Sequence, residues 1–290
     1  RCQSATLYAG VGQQDTEVPG NYLLGFSDSA SESGIVCKIV SAGVSGIGGQ
    51  TGMSDLPAGR LLLFLKTNIQ NNKMIERYLT QTQFSSEEDF REHLHFKVPD
   101  TFNFAYDVMD EWAKEAPDKL ALLWTSERGE EVKTTFAGFK EQTDRTAAYF
   151  LSLGISRGDK VMLILKRHYQ WWLAMMALCK IGAVAIPATH MLTKDIVYRN
   201  RRASVKAIIC VNDEYVTTQV RQSVPESPTV EVLVAVNSMV QRDNPVPEGF
   251  HDWHKEWPEA PAFVRPEEVN TNGDTMLMYF TSGTSGEPKM

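Results

Sequence analysis

The chain has 290 residues, 42% apolar and 22% charged, with 29 basic and 36 acidic side chains and a formal net charge of −7. This is globular composition, so a wholly disordered chain is excluded. The acidic balance argues against nucleic acid, whose binders carry a basic footprint, and no apolar run reaches the eighteen or so residues of a membrane span.

Residues 1–73 differ from the rest. They hold eleven of the twenty glycines and no tryptophan, and the whole net charge falls after them. Gly43-Val44-Ser45-Gly46-Ile47-Gly48-Gly49 lacks the spacing of a dinucleotide loop and reads as a flexible segment. No helix or strand period is sustained here. Residues 1–73 are therefore expected to be a disordered, non-homologous extension, with Met74 as the true start, an expectation that the intact mass of the natural protein tests. Residues 74–290 form the folded part.

Ser85 followed by Glu88 reads as a capping box opening a helix. Asn103–Ala116 is a second helix, with Phe104, Val108 and Trp112 on one face. Ala121–Thr125 and Thr134–Phe136 read as strands about a turn at Arg128-Gly129. A strict alternation follows: helix Phe139–Leu153 (apolar face Phe139, Thr143, Ala147, Phe150, Leu151) stopped by Gly154; strand Val161–Leu165; helix Tyr169–Ile181 stopped by Gly182; strand Val184–Ile186. Thr193 caps a helix running to Arg202, strand Ala207–Val211 and helix Asp213–Gln222 come next, and then strand Val230–Val236. A long polar connection leads to a last strand, Thr275–Phe280. Short apolar strands alternating with helices predict an α/β fold, a mostly parallel sheet flanked by helices, with ligands beyond the carboxyl ends of the strands.

The last strand runs into Thr281-Ser282-Gly283-Thr284-Ser285-Gly286-Glu287-Pro288-Lys289. Glycines allow close backbone approach, successive N–H groups make an anion-binding concavity, hydroxyls add donors and Lys289 adds charge. The spacing is not that of a Walker loop, and Pro288 keeps Glu287 out of helical conformation. Taken alone, such a stretch also suits an ordinary Ser/Thr/Gly turn.

The order Phe280-Thr-Ser-Gly-Thr-Ser-Gly-Glu-Pro-Lys289 resembles the phosphate loop of the adenylate-forming superfamily, with Ser285 where that pattern has threonine. Residues 135–139 and 154–161 are similar to the family's opening strand–helix–strand, and residues 170–199 to its medium-chain acyl-CoA synthetase branch. The resemblance covers residues 74–290 and implies part of that family's N-terminal domain. It implies a two-step ligase: a fatty carboxylate attacks the α-phosphate of ATP, giving acyl-adenylate and pyrophosphate, and the thiol of coenzyme A then displaces AMP. Mg²⁺ would neutralise phosphate charge. Thr281, Ser282, Gly283, Thr284, Ser285, Gly286 and Lys289 would hold the β- and γ-phosphates. In relatives the adenine, ribose and metal contacts and the adenylation lysine lie downstream, so the chain by itself is expected to be inactive and, with an unpaired sheet edge, poorly soluble. An aryl- or amino-acid-activating ligase and a non-catalytic fragment are the alternatives.

Other residues read more simply. The four cysteines, Cys2, Cys37, Cys179 and Cys210, form no CxxC pair. Cys179 and Cys210 lie in apolar runs, as buried free thiols of a reducing compartment do: the cytoplasm or, in a eukaryote, the mitochondrial matrix. Trp171, Trp172, Met175, Met176 and Leu178 read as core rather than as an acyl tunnel. His190 reads as a loop histidine, Arg199, Arg201 and Arg202 as a solvated helix end, and His251-Asp252-Trp253-His254 as a solvated loop.

Overall fold

The computed structural model describes residues 74–290 except 75, 127, 194, 269 and 282–287. The reading of residues 1–73, with Cys2 and Cys37, lies outside the described residues. Helix α1 is Glu87–His93, capped by Ser86, which accepts from the Asp89 amide. The box is thus one residue later than the sequence suggests: Asp89 rather than Glu88 reaches back, onto the amide and hydroxyl of Ser85. The second helix opens as a π turn, Ala105–Asp110, and continues as α2, Glu111–Glu115. Asn103 caps it, accepting from the Ala105 and Tyr106 amides while its own amide donates to the Cys179 carbonyl. The wide turn puts Ala105 and Asp110, five positions apart, on the buried side and leaves Phe104 exposed, so the apolar stripe expected there does not form.

Strands β1 (Leu120–Thr125) and β2 (Glu131–Thr135) form an antiparallel hairpin. Helix α3, Phe136–Ser152, is capped by Thr135 and starts three residues earlier than predicted. It buries Phe139, Thr143, Ala147 and Phe150, but Leu151 faces solvent, because a helix turns Leu151 100° away from Phe150.

The central sheet is β3 (Lys160–Ile164), β4 (Val184–Pro187), β5 (Val205–Val211), β6 (Val232–Val236) and β7 (His251–Asp252). Its order is β4-β3-β5-β6-β7, parallel throughout. Helices α4 (Gln170–Ile181), α5 (Asp195–Ala203) and α6 (Glu214–Ser223) make the crossovers. The chain steps outward from β3 to β4, then back over β3 to β5; right-handed crossovers in opposite directions put helices on both faces. The strands are accordingly apolar almost throughout, and Val161, Met162, Leu163, Ile164, Ile208, Ile209 and Val234 are buried. Trp171 and Met175 join this core, and Trp172 and Met176 pack in a smaller cluster with Leu122, Phe136 and Phe139, as expected.

Two features depart from the sequence reading. The polar connection contains β7 and a short helix, α7 (Trp253–Glu256), capped by Asp252. Trp253 is buried and stands edge-on to Tyr149 and Phe150, and Asp252 is buried beside it, so the middle of 251–254 belongs to the core rather than to a solvated loop, while His251 and His254 stay partly exposed. The expected last strand, Thr275–Phe280, makes only a single bridge. Ala185 donates to the Met276 carbonyl (3.1 Å) and accepts from the Met278 amide (3.0 Å). The reason is Pro187. Ala185 turns its backbone outward and Ile186 inward to β3, so Pro187 is the next outward residue, and it has no N–H to give.

Helix α4 also ends on a buried ion cluster. The Lys180 ammonium is fully buried, 2.9 Å from Asp110 and 2.6 Å from Asp144, and Lys140 pairs with Asp144 as well. Two ammoniums thus balance two carboxylates. Burial nevertheless raises the Asp110 carboxyl, with Lys180 opposing.

Candidate functional site

The candidate site stands where an α/β sheet collects ligands, beyond the carboxyl ends of its strands. Residues 276–278 run parallel to β4, so Thr281 emerges at that end. Thr281 and Lys289, eight positions apart, close on each other as an antiparallel bridge: the Thr281 amide donates to the Lys289 carbonyl (2.8 Å), the Lys289 amide returns the bond (2.9 Å), and the Thr281 hydroxyl adds a third at 3.3 Å. Thr281 and Lys289 thus form a neck on either side of the glycine- and hydroxyl-rich stretch of the sequence. Ser282, Gly283, Thr284, Ser285 and Gly286 lie outside the described residues. The exposed Lys289 ammonium has no ion-pair partner among the described residues.

Helix α5 holds both sides of this neck. The Tyr198 hydroxyl donates to the carbonyl of Pro288 (3.1 Å), next to Lys289. The Arg199 guanidinium lies 4.8 Å over the ring of Phe280, next to Thr281. Asp195 orients Arg199 at 3.0 Å and accepts from the Thr193 amide, so the start of α5 is braced as well. Arg199 is thus no part of a solvated helix end; only 14% of its side chain is exposed. Arg201 does stand at the surface, beside Glu226. Sequence reasoning missed the anchoring by Tyr198 and Arg199 because it depends on a contact between distant segments. The topology held the clue: the helix after β4 begins at the same edge where a strand beside β4 ends.

His190 is exposed, as expected of a loop histidine. Cys179 and Cys210 are buried free thiols, and burial pushes both up from the ordinary thiol range. Nearby, at the carboxyl ends of β3 and β5, Lys166 pairs with Asp213, the cap of α6, at 3.0 Å. Burial lowers His168 to about 4, with Lys166 and His254 adding to the effect. Among the described residues no group of three or more His, Cys, Asp and Glu side chains could hold a metal ion, and no helix is long and apolar enough to cross a membrane.

The donor set suits a polyanion: a neck closed by Thr281 and Lys289, glycines and hydroxyls between them by sequence, and at its exit an exposed ammonium with no ion-pair partner among the described residues. Comparison with known proteins gives the family. Residues 109–290 match the family described as AMP-binding enzyme. The human mitochondrial acyl-coenzyme A synthetase ACSM4 is 35% identical over 204 residues, 67% of this chain and 33% of that protein. The ACSM3 enzyme of Pongo abelii is 33% identical over 224 residues, 74% of this chain and 36% of its own length. Human ACSM2A is 34% identical over 204 residues. The chain spans about a third of the length of these relatives. On its sequence, its parallel sheet and the loop at that sheet's carboxyl end, the chain belongs to the AMP-binding enzyme family.

Proposed function

We propose that this chain carries the polyphosphate grip of an AMP-forming acid–thiol ligase, which activates a medium-chain fatty acid with ATP and passes it to coenzyme A. The observation that carries this reading is the neck closed by Thr281 and Lys289 at the carboxyl edge of the sheet. In the proposed reaction a carboxylate oxygen attacks the α-phosphorus of ATP and pyrophosphate leaves with the electron pair of the broken P–O bond. The thiol of coenzyme A then attacks the acyl carbon, AMP leaves, and the thiol proton passes to solvent. Thr281, Ser282, Gly283, Thr284, Ser285, Gly286 and Lys289 would hold the β- and γ-phosphates by amides, hydroxyls and one ammonium, which stabilises the charge that grows on pyrophosphate as it departs. Mg²⁺ would enter with the nucleotide and neutralise phosphate charge. The acid and coenzyme A are the substrates that the relatives' names give for those enzymes.

We divide the chain into an added stretch, 1–73, and the synthetase part, 74–290; the family match lies wholly in the second. The relatives are named as mitochondrial, and the matrix is our proposed location. The test is acid-dependent pyrophosphate–ATP exchange by the full-length polypeptide. Lys289→Ala and Thr284→Ala are each expected to lower exchange about 100-fold with folding intact by circular dichroism. Undiminished exchange in both variants would remove the loop from the reaction.

A further inference from the structure

The strand that carries the loop is weakly attached. Residues 276–278 meet β4 through two hydrogen bonds, and Pro187 withholds the next. Side-chain alternation does not fix their register either. Met276-Leu277-Met278-Tyr279-Phe280 is apolar at every position, so a shift by one residue exchanges one apolar face for another. Something else must choose the register.

The segment before it supplies the choice. The Arg157 guanidinium bonds Asp274 at 2.8 Å and Glu268 at 3.2 Å. Asp274 also accepts from the Thr271 amide (2.8 Å), which folds residues 271–274 into a tight turn. Asn272 hangs on the carbonyls of Asp100 (2.8 Å) and Pro99 (2.7 Å). Arg157 itself is fixed to the start of β4: the Gly158 amide donates to the Gly182 carbonyl (2.9 Å) and the Val184 amide to the Asp159 carbonyl (2.8 Å). It therefore refers the incoming segment to the very strand on whose edge that segment lies.

We infer that Arg157 is a positioning residue: by holding Asp274 it fixes the register of residues 276–281 on the edge of β4, and so places the polyphosphate loop, although it stands at the opposite end of the sheet. This rests on the reading of the loop given above. Arg157 and Asp274 are both well exposed, so their pair adds little to global stability. It suffices for register because the alternatives differ little from one another.

The test uses the full-length polypeptide with Arg157→Gln, Asp274→Asn and Arg157→Lys. Amide exchange at Met278 and Ala185, the two donors of the bridge, is expected to quicken about tenfold in the first two variants. Exchange at Ile209 and Val234 and the global unfolding midpoint stay unchanged, and Arg157→Lys restores most of the protection. The apparent Kd for Mg·ATP rises by a similar factor in Arg157→Gln, and 0.5 M or so of added salt moves the wild type the same way. Unchanged exchange at Met278 and Ala185 overturns the inference, as does faster exchange with unaltered ATP affinity. Should the wild type bind no ATP while its bridge amides still respond to Arg157→Gln, the functional reading falls and the register role of Arg157 stands.

Discussion

Lys180 shows what one side chain does when it is sealed in the interior. Its ammonium lies between Asp110 and Asp144 with no exposure. Replacing it with Met leaves the buried Asp110 and the partly buried Asp144 facing each other with only the Lys140 ammonium, which pairs with Asp144, to balance both. Lys180→Met is expected to lose ~3–5 kcal/mol of stability in urea unfolding; a triple variant that also carries Asp110→Asn and Asp144→Asn recovers most of it. His168 works through pH instead. It is held near 4 against an ordinary 6.5, by burial first and then by the charges of Lys166 and His254. Below pH 6.5 the unfolded chain takes up a proton that the native state refuses, so stability is full above 6.5 and drains away as pH falls toward 4. The loss amounts to at most ~3 kcal/mol, and urea midpoints measured across that window should flatten in His168→Gln. Neither role was legible in the sequence. Nothing in the sequence singles out Lys180, and its partner Asp110 comes from a distant π turn, Ala105–Asp110.

The elements themselves were largely legible, because each carries its own local chemistry. Asp213 and Gly182 sit where a helix starts or stops, and the apolar runs of β3, β5 and β6 admit no other reading as short as they are. What failed did so for tertiary reasons. The π turn answers to a buried charge; β7 is two residues long and exists by pairing with β6; residues 275–280 look like a strand but find one partner residue. Gly154 and Gly182 make a clean comparison at this scale. Both have positive φ, +80° and +74°. A Cβ on Gly154 meets open space, whereas on Gly182 it would stand 2.3 Å from Asn270 Oδ1. Gly154→Ala is expected to cost ~1–2 kcal/mol from backbone strain alone. Gly182→Ala should cost more, by thermal or urea unfolding, and the excess should shrink in the double variant with Asn270→Ala.

For the whole molecule, the α/β class followed from strand–helix alternation, and the loop was visible because its composition is unusual wherever it stands. The supports of the loop were not visible. Tyr198, Arg199 and Arg157 meet it, or the strand that bears it, only after the sheet has been assembled in the order β4-β3-β5-β6-β7. The same assembly qualifies the expectation of an open, sticky sheet edge. Pro187 leaves a gap in the outward row of donors on β4. Residues 276–278 already take the outward bonds of Ala185, and beyond them a strand from another molecule would find no N–H at Pro187 on which to continue a ladder. An imino acid here works as a gatekeeper against self-association, much as edge prolines do in β-rich proteins. Pro187→Ala should therefore scatter more light at high concentration and remain folded, a cost paid in solubility rather than in structure.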